Sequence, residues 1–196
     1  MKKSSYEEKN IKIYCGDSLQ LLKDIKSETV DMIFADPPYF LSNDGITCHA
    51  GKMVSVNKGK WDKLDTYKQI EDFNFLWLAE AQRILKKDGT IWISGTHHNI
   101  FSIGNTMKNL GYKFLNVVTW QKPNPPPNLS CRYFTHSTEQ IIWCGKNEKS
   151  KHLYNYPVMK KINDNKQMKD VWTMTAPAKS EKKFGKHPTQ KPEKLL

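Results

Sequence analysis

The run Val30-Asp31-Met32-Ile33-Phe34-Ala35 ends at Asp36-Pro37-Pro38-Tyr39, and this junction constrains the fold more than any other stretch of the chain. A short run that is apolar at nearly every position reads as a strand buried on both faces. An acid and two prolines stop it, because proline fixes φ and withholds an N–H. The strand therefore delivers a stiff polar loop to the carboxyl edge of a sheet, which is where open α/β sheets bind ligands. Taken alone, the tetrapeptide also reads as a plain strand-ending turn, since both residue types favour turns.

The flanking sequence supplies the rest of an α/β pattern. Residues 11–15 read as a strand, Gly16-Asp17-Ser18 as a turn and helix start, and Leu19, Leu21, Leu22 and Ile25 as a brief amphipathic helix. The opening is thus predicted to be β-α-β, with Asp36 at the tip of the second strand. Residues 67–87 carry Phe73, Leu76, Trp77, Ala81, Ile84 and Leu85 at helical spacing, and Lys86-Lys87-Asp88-Gly89 has the chemistry of a helix C-terminus. Strands are predicted at 90–95, 113–122 and 140–144, with a helix over 97–110 closed by Gly111. Strands alternating with helices imply an open, mainly parallel sheet with helices on both faces.

Two stretches do not fit that alternation. Residues 40–66 are rich in glycine and polar residues, with Lys52, Lys58, Lys60 and Lys63 around Trp61; basic residues beside an aromatic suit a nucleic-acid contact, and a surface lid suits them nearly as well. Residues 145–186 are rich in lysine and asparagine and show no clean period, so an irregular basic insertion is expected there. Asp62, Asp65, Glu71 and Asp72 are expected on a solvated face. The pair His97-His98 has no evident third metal ligand and reads as a helix start.

Charge and cysteine usage narrow the setting. Lysine and arginine total 31 against 20 acids, a net charge of +11 that favours an anionic partner, most often nucleic acid. The four cysteines, Cys15, Cys48, Cys131 and Cys144, form no CxxC pair, which argues against structural zinc and against a disulfide framework. No apolar run approaches transmembrane length and no secretory leader is evident, so a soluble, cytoplasmic protein without a membrane partner is expected.

Two further segments complete a series. One is the proline-bearing loop from Trp120 to Tyr133, followed by Thr135-His136-Ser137-Thr138-Glu139 and the strand to Trp143. The other is His187-Pro188-Thr189-Gln190-Lys191-Pro192. Taken in order with Gly16-Asp17 and Asp36-Pro37-Pro38-Tyr39, these resemble the beta-class DNA amino-methyltransferases, across essentially the whole chain. In finer detail residues 40–43, 54–59, 128–139 and 166–173 look like the DpnA-type adenine methylases of restriction–modification systems, which act on GATC.

That resemblance implies a Rossmann-like methyltransferase fold, S-adenosyl-L-methionine as methyl donor and DNA as partner. It also implies roles for single residues. Asp36 and the Pro37 carbonyl would accept the two N–H bonds of the target amine, in a loop stiffened by Pro38. Tyr39 would stack on the extruded base. Asp17 would contact the cofactor's adenine, and His187, Thr189, Gln190 and Lys191 would line its pocket. Asp at the head of the tetrapeptide leans toward adenine N6, with cytosine N4 as the alternative. No metal is required.

The resemblance also predicts a Phe-x-Gly-x-Gly loop and a strand beyond Pro192, and these 196 residues contain neither. Half of the cofactor site and at least one strand are therefore expected to be missing from residues 1–196, read as one incomplete catalytic domain with a target-recognition insertion at about 121–186. The absent segment, or a second copy of the chain, is an expected protein partner. A catalytically dead DNA-binding fragment is the competing reading.

Overall fold

The computed structural model describes residues 4–40, 46–49, 52–55, 62, 66–183, 185, 187 and 189–196. Tyr6–Glu8 (β1) and Ile11–Ile13 (β2) pair antiparallel as a separate hairpin. The predicted β-α-β opening is therefore corrected. The strand near residue 11 joins β1 rather than the main sheet, and all its side chains are exposed.

Asp17 caps the helix Ser18–Lys23 (α1), its carboxylate accepting from the Leu19 and Gln20 N–H groups at 2.8 and 3.3 Å. Val30–Ala35 forms β3 as expected. Among the described residues it is an outer strand, with Asp31 and Met32 exposed, rather than a strand covered on both faces. Ile46–His49 (β4) and Lys52–Ser55 (β5) pair within the predicted long loop. Trp61, Lys58, Lys60 and Lys63 lie outside the described residues.

Tyr67–Ile84 (α2) begins with a capping box between Thr66 and Gln69 and buries Ile70, Asn74, Trp77, Leu78, Ala81 and Ile84. That spacing of three and four places them on one face. The helix ends at Ile84, and the next strand starts at once as Leu85–Gly95 (β6). Gly89 is thus no helix cap, contrary to the reading of Lys86–Gly89. It lies inside β6, where an added Cβ would come within 3.0 Å of the Asp31 carbonyl and 3.1 Å of the Val30 carbonyl. Glycine there permits close approach of β3.

Ile100–Asn109 (α3) follows, and Gly111 closes it at φ +78 as predicted. Lys113–Gln121 (β7) and Thr138–Gly145 (β8) are joined by a long loop. Tyr156–Ile162 (α4) and Val171–Thr173 (β9) lie in the stretch expected to be irregular.

The main sheet has the order β3-β6-β8-β7-β9. Pairs β3–β6 and β7–β9 are parallel, while β6–β8 and β7–β8 are antiparallel. The sheet is open and flanked by helices as expected, but mixed rather than mainly parallel. The reason is local: β8 returns through the 122–137 loop and inserts between β6 and β7.

One face carries the larger core, where Leu78, Leu85, Ile91, Ile93, Ile103 and Met107 are fully buried. Each such side chain stabilises by roughly 1.5–3 kcal/mol. Asn74 ties the two long helices inside this core, donating to Ser102 Oγ at 3.0 Å and accepting from Trp77 Nε1 at 3.1 Å. Arg83 holds α1 in place by donating to the Leu22 and Ile25 carbonyls, each at 2.9 Å. On the opposite face Trp92 stacks on Trp143 at 4.6 Å, and Met159 of α4 joins them around a cavity.

Candidate active site

Parallel pairing of β3 with β6 sets Ala35 opposite Ile93, so both strands finish at one sheet edge. Because β8 is antiparallel to β6 and β7, its first residues and the end of β7 reach the same edge. The loop 36–40, the turn 94–99, the 122–137 loop and Glu139 therefore converge there.

Asp36 sits at the centre. Its Oδ1 accepts from Ser94 Oγ at 2.6 Å, the Tyr39 hydroxyl at 2.8 Å and Lys191 Nζ at 3.0 Å. Its Oδ2 accepts from Lys191 Nζ alone among the described residues, also at 3.0 Å. A carboxylate oxygen can take two hydrogen bonds, so Oδ2 retains acceptor capacity. Asp36 is partly open to solvent, whereas the Lys191 side chain is only 7 % exposed.

Lys191 also lies 4.9 Å over the Tyr39 ring and 3.9 Å from Glu139 Oε2. The other oxygen of Glu139 pairs with Lys122. Oε2 is buried and accepts no hydrogen bond among the described residues. The edge thus holds alternating charges, Lys122, Glu139, Lys191 and Asp36. Tyr39 is buried, and burial, followed by the negative charges of Asp36 and Glu139, pushes its phenol well above the ordinary tyrosine range. It stays a neutral hydrogen-bond donor throughout the physiological range.

The loop backbone is pinned as well. Buried Asn99 donates from Nδ2 to the Pro38 carbonyl at 3.0 Å and accepts from the Thr96 N–H at 3.2 Å. Asp62, expected on a solvated face, is 1 % exposed and accepts the Phe40 N–H at 2.8 Å. Phe40 has φ +56, and this contact helps hold it there. Asn99→Ala is expected to cost about 1–3 kcal/mol, the penalty for orphaning buried backbone groups. Urea unfolding measures it; an unchanged midpoint would show that the Pro38 carbonyl needs no such anchor.

A cavity of about 500 Å³ opens beside the loop. Ser18, Asp36, Pro37, Pro38, Phe73 and Trp77 are among its lining residues. Most of the wall is apolar; Ser18 and Asp36 are its polar side chains. Across the edge, His97 and His136 stack at 4.3 Å, and His98 lies 3.9 Å from His97. Burial, then the neighbouring imidazoles, hold His97 below the usual histidine range. Among the described residues no cluster of three metal-ligating side chains occurs.

The predicted site residues separate into groups. Asp36, Tyr39 and Lys191 are in contact, and Pro37 and Pro38 line the cavity with Asp36. Asp17 is engaged as the α1 cap, one residue from the cavity-lining Ser18. His187 accepts from the Thr189 N–H at 3.3 Å, and Gln190 donates to the Glu181 carbonyl at 2.8 Å. Sequence reasoning misses Ser94, Asn99, Asp62 and Glu139 as site residues. A serine near the end of a predicted strand and an asparagine in the segment that follows it are the weak signal that two of them carry.

Residues 30–196 match the N6/N4 methyltransferase family model, described as DNA methylase. The chain is 57 % identical over 197 residues to the Type II methyltransferase M2.LlaDCHI of Lactococcus lactis subsp. cremoris, covering 100 % of this chain and 73 % of that one. It is 54 % identical over 197 residues to the Type II methyltransferase M2.DpnII of Streptococcus pneumoniae, covering 100 % and 74 %. The fold resembles the PvuII DNA methyltransferase (cytosine-N4-specific), with a TM-score of 0.72 at 18 % identity over 99 % of this chain and 70 % of that one. It also resembles M1.HpyAVI in a complex with SAM, with a TM-score of 0.59 at 23 % identity over 93 % and 72 %.

Proposed function

Because this chain belongs to the DNA methylase family, we propose that it transfers a methyl group from S-adenosylmethionine to the exocyclic N6 amine of adenine in DNA. The observation that carries this reading is Asp36 at the sheet edge, with Oδ1 fully occupied and Oδ2 still able to accept. An amine conjugated to a base ring is a poor nucleophile, because its lone pair is delocalised. Asp36 Oδ2 and the Pro37 carbonyl would take its two N–H bonds and turn the lone pair out of the ring plane. The donors on Oδ1 hold the carboxylate oriented while this happens. Asp36, already accepting one of the amine's N–H bonds in this arrangement, would take the proton that the amine loses.

The space beside Asp36 would take the adenine part of the cofactor. Its apolar wall suits an adenine ring, and Ser18 and Asp36 supply polar side chains to its lining. When bound, the cofactor supplies a methyl carbon on a positively charged sulfur, which departs as a neutral thioether. Lys191 already donates to the acceptor that the amine would use, so the amine would share Oδ2 with it or shift it toward Glu139 Oε2, 3.9 Å away. Tyr39 must likewise lose its lysine cover to offer a ring face to a base. We further propose that the region 121–186 reads the target, and that the fold works in a cell interior with no membrane; no described helix is long and apolar enough to cross one.

Labelled S-adenosylmethionine at millimolar concentration with duplex DNA tests the reading. Mass spectrometry of the hydrolysed DNA should find N6-methyladenine. N4-methylcytosine would move the assignment to the alternative base, and DNA binding with no methylated base would favour the catalytically dead fragment. DNA binding itself should weaken with salt, because each neutralised phosphate releases counterions and the chain carries a net charge of +11. Between 50 and 200 mM salt the association constant should fall by about 10-fold or more; a flat titration by fluorescence anisotropy counts against a phosphate-binding surface.

A further inference from the structure

We propose that Phe134 is a wedge that enters the DNA base stack and fills the gap left by the extruded target base; this rests on the methyltransferase reading above. Phe134 is 96 % exposed, the highest value among the described large apolar side chains, and Tyr133 beside it is 60 % exposed. Water is a poor setting for an aromatic ring. Here the backbone is built to present it.

The 122–137 loop is closed at its root by the Lys122 N–H donating to the Ser137 carbonyl at 2.7 Å. Inside the loop, Asn128 donates to the Tyr133 carbonyl at 2.6 Å and accepts from the Ser130 N–H and hydroxyl at 3.0 and 2.7 Å. Three consecutive prolines, Pro125 to Pro127, stiffen the approach. The ring is therefore carried on a preformed finger, and little order has to be gained when it inserts.

The finger stands beside the reacting centre. His136, two residues from Phe134, stacks on His97, in the turn that follows Ser94; Ser94 bonds Asp36. Glu139, five residues on, faces Lys191, which bonds both Asp36 oxygens. Five residues span at most about 17 Å of extended chain. The apolar surface of duplex DNA lies between its stacked bases, and side chains such as Phe enter it by opening a base step. A base can reach Asp36 only by leaving its stack. An exposed ring on a stiff loop at the rim of that site matches the gap this creates, and Arg132 beside it suits the flanking phosphate.

The test uses a duplex bearing GATC, the sequence implied by the resemblance, with 2-aminopurine replacing the adenine. Fluorescence reports unstacking and anisotropy reports affinity. The unsubstituted chain should give a several-fold rise in fluorescence. Phe134→Ala should lose most of that rise and about tenfold in affinity. Its affinity should return to within about twofold of the unsubstituted chain on a duplex with an abasic site opposite the target, where extrusion costs little. Phe134→Trp should retain the signal, and the unfolding midpoint should not move, since the ring is almost wholly exposed. An undiminished rise with Phe134→Ala overturns the wedge. So does an affinity loss equal on both duplexes, which would mark a general contact. Binding by the unsubstituted chain without any rise overturns the wedge and leaves the DNA reading standing; absence of any DNA binding sinks that reading and the wedge together.

Discussion

When the chain is supplied with the segment by which its Lactococcus relative is longer, Asp36→Ala is expected to lower methyl transfer by about 10³-fold or more, while DNA affinity stays within about threefold. Two physical roles lead to that expectation. The substitution removes the acceptor that would orient the target amine, an interaction worth most when the nitrogen attacks. It removes no phosphate contact, since Asp36 carries negative charge. One complication comes from Lys191. Its side chain is 7 % exposed, and losing Asp36 leaves the ammonium with the Thr189 carbonyl at 3.3 Å and Glu139 Oε2 at 3.9 Å. An orphaned buried charge destabilises by up to about 3–5 kcal/mol. The double variant Asp36→Ala, Lys191→Met removes both members, and unfolding midpoints separate lost chemistry from lost fold. Radiolabel incorporation into DNA then decides. Near-normal rates in a folded Asp36→Ala protein would remove Asp36 from the chemistry.

The parts of this site that local pattern encodes are legible in the sequence, and the parts made by long-range packing are not. An apolar run stopped by Asp-Pro-Pro is a local signal, so the residue pattern alone places Asp36 at the strand tip. The α2 face is legible because its buried residues recur every three or four positions. Lys86–Gly89 misleads, because lysine and glycine have the same composition at a helix end as in a strand that needs close backbone approach; what decides is the Val30 and Asp31 carbonyls across the sheet. β9 escapes pattern reading for a related reason. Its three residues carry little apolar pattern, and what holds it is backbone pairing with β7. Asp62 looks like any surface acid until Phe40 presents an N–H to it. Lys191 is 155 positions from Asp36, and no spacing rule connects them; family resemblance marks it as a cofactor-lining residue, and the fold sets it against the carboxylate.

The second large effect concerns the cofactor, and we expect residues 1–196 by themselves to bind S-adenosylmethionine poorly. The described cavity wall offers an apolar surface for the adenine and two polar side chains, Ser18 and Asp36. The cofactor's amino-acid end carries an ammonium and a carboxylate, and burying either without partners is costly. The usual device for holding such a group is backbone approached closely, which glycine permits and other residues obstruct. Gly89 and Gly95 already serve packing: a Cβ on Gly95 would meet Asn99 Oδ1 at 2.7 Å, and on Gly89 the Asp31 carbonyl at 3.0 Å. Calorimetry should therefore give a dissociation constant of about 0.1–1 mM or weaker, only about 4–5.5 kcal/mol of binding energy. A methyl donor held that loosely is also poorly aligned, and small misplacements at a reacting centre cost orders of magnitude in rate. The Lactococcus relative extends beyond the matched region, since this chain covers 73 % of it. Adding that remaining segment as a separate chain should tighten cofactor binding at least tenfold if it docks along the outer edge of β3, where Met32 is 59 % exposed. Charged substitution at Met32 should then block the gain. Low-micromolar binding to the 196-residue chain alone would show instead that the cavity beside Asp36 already holds the whole cofactor.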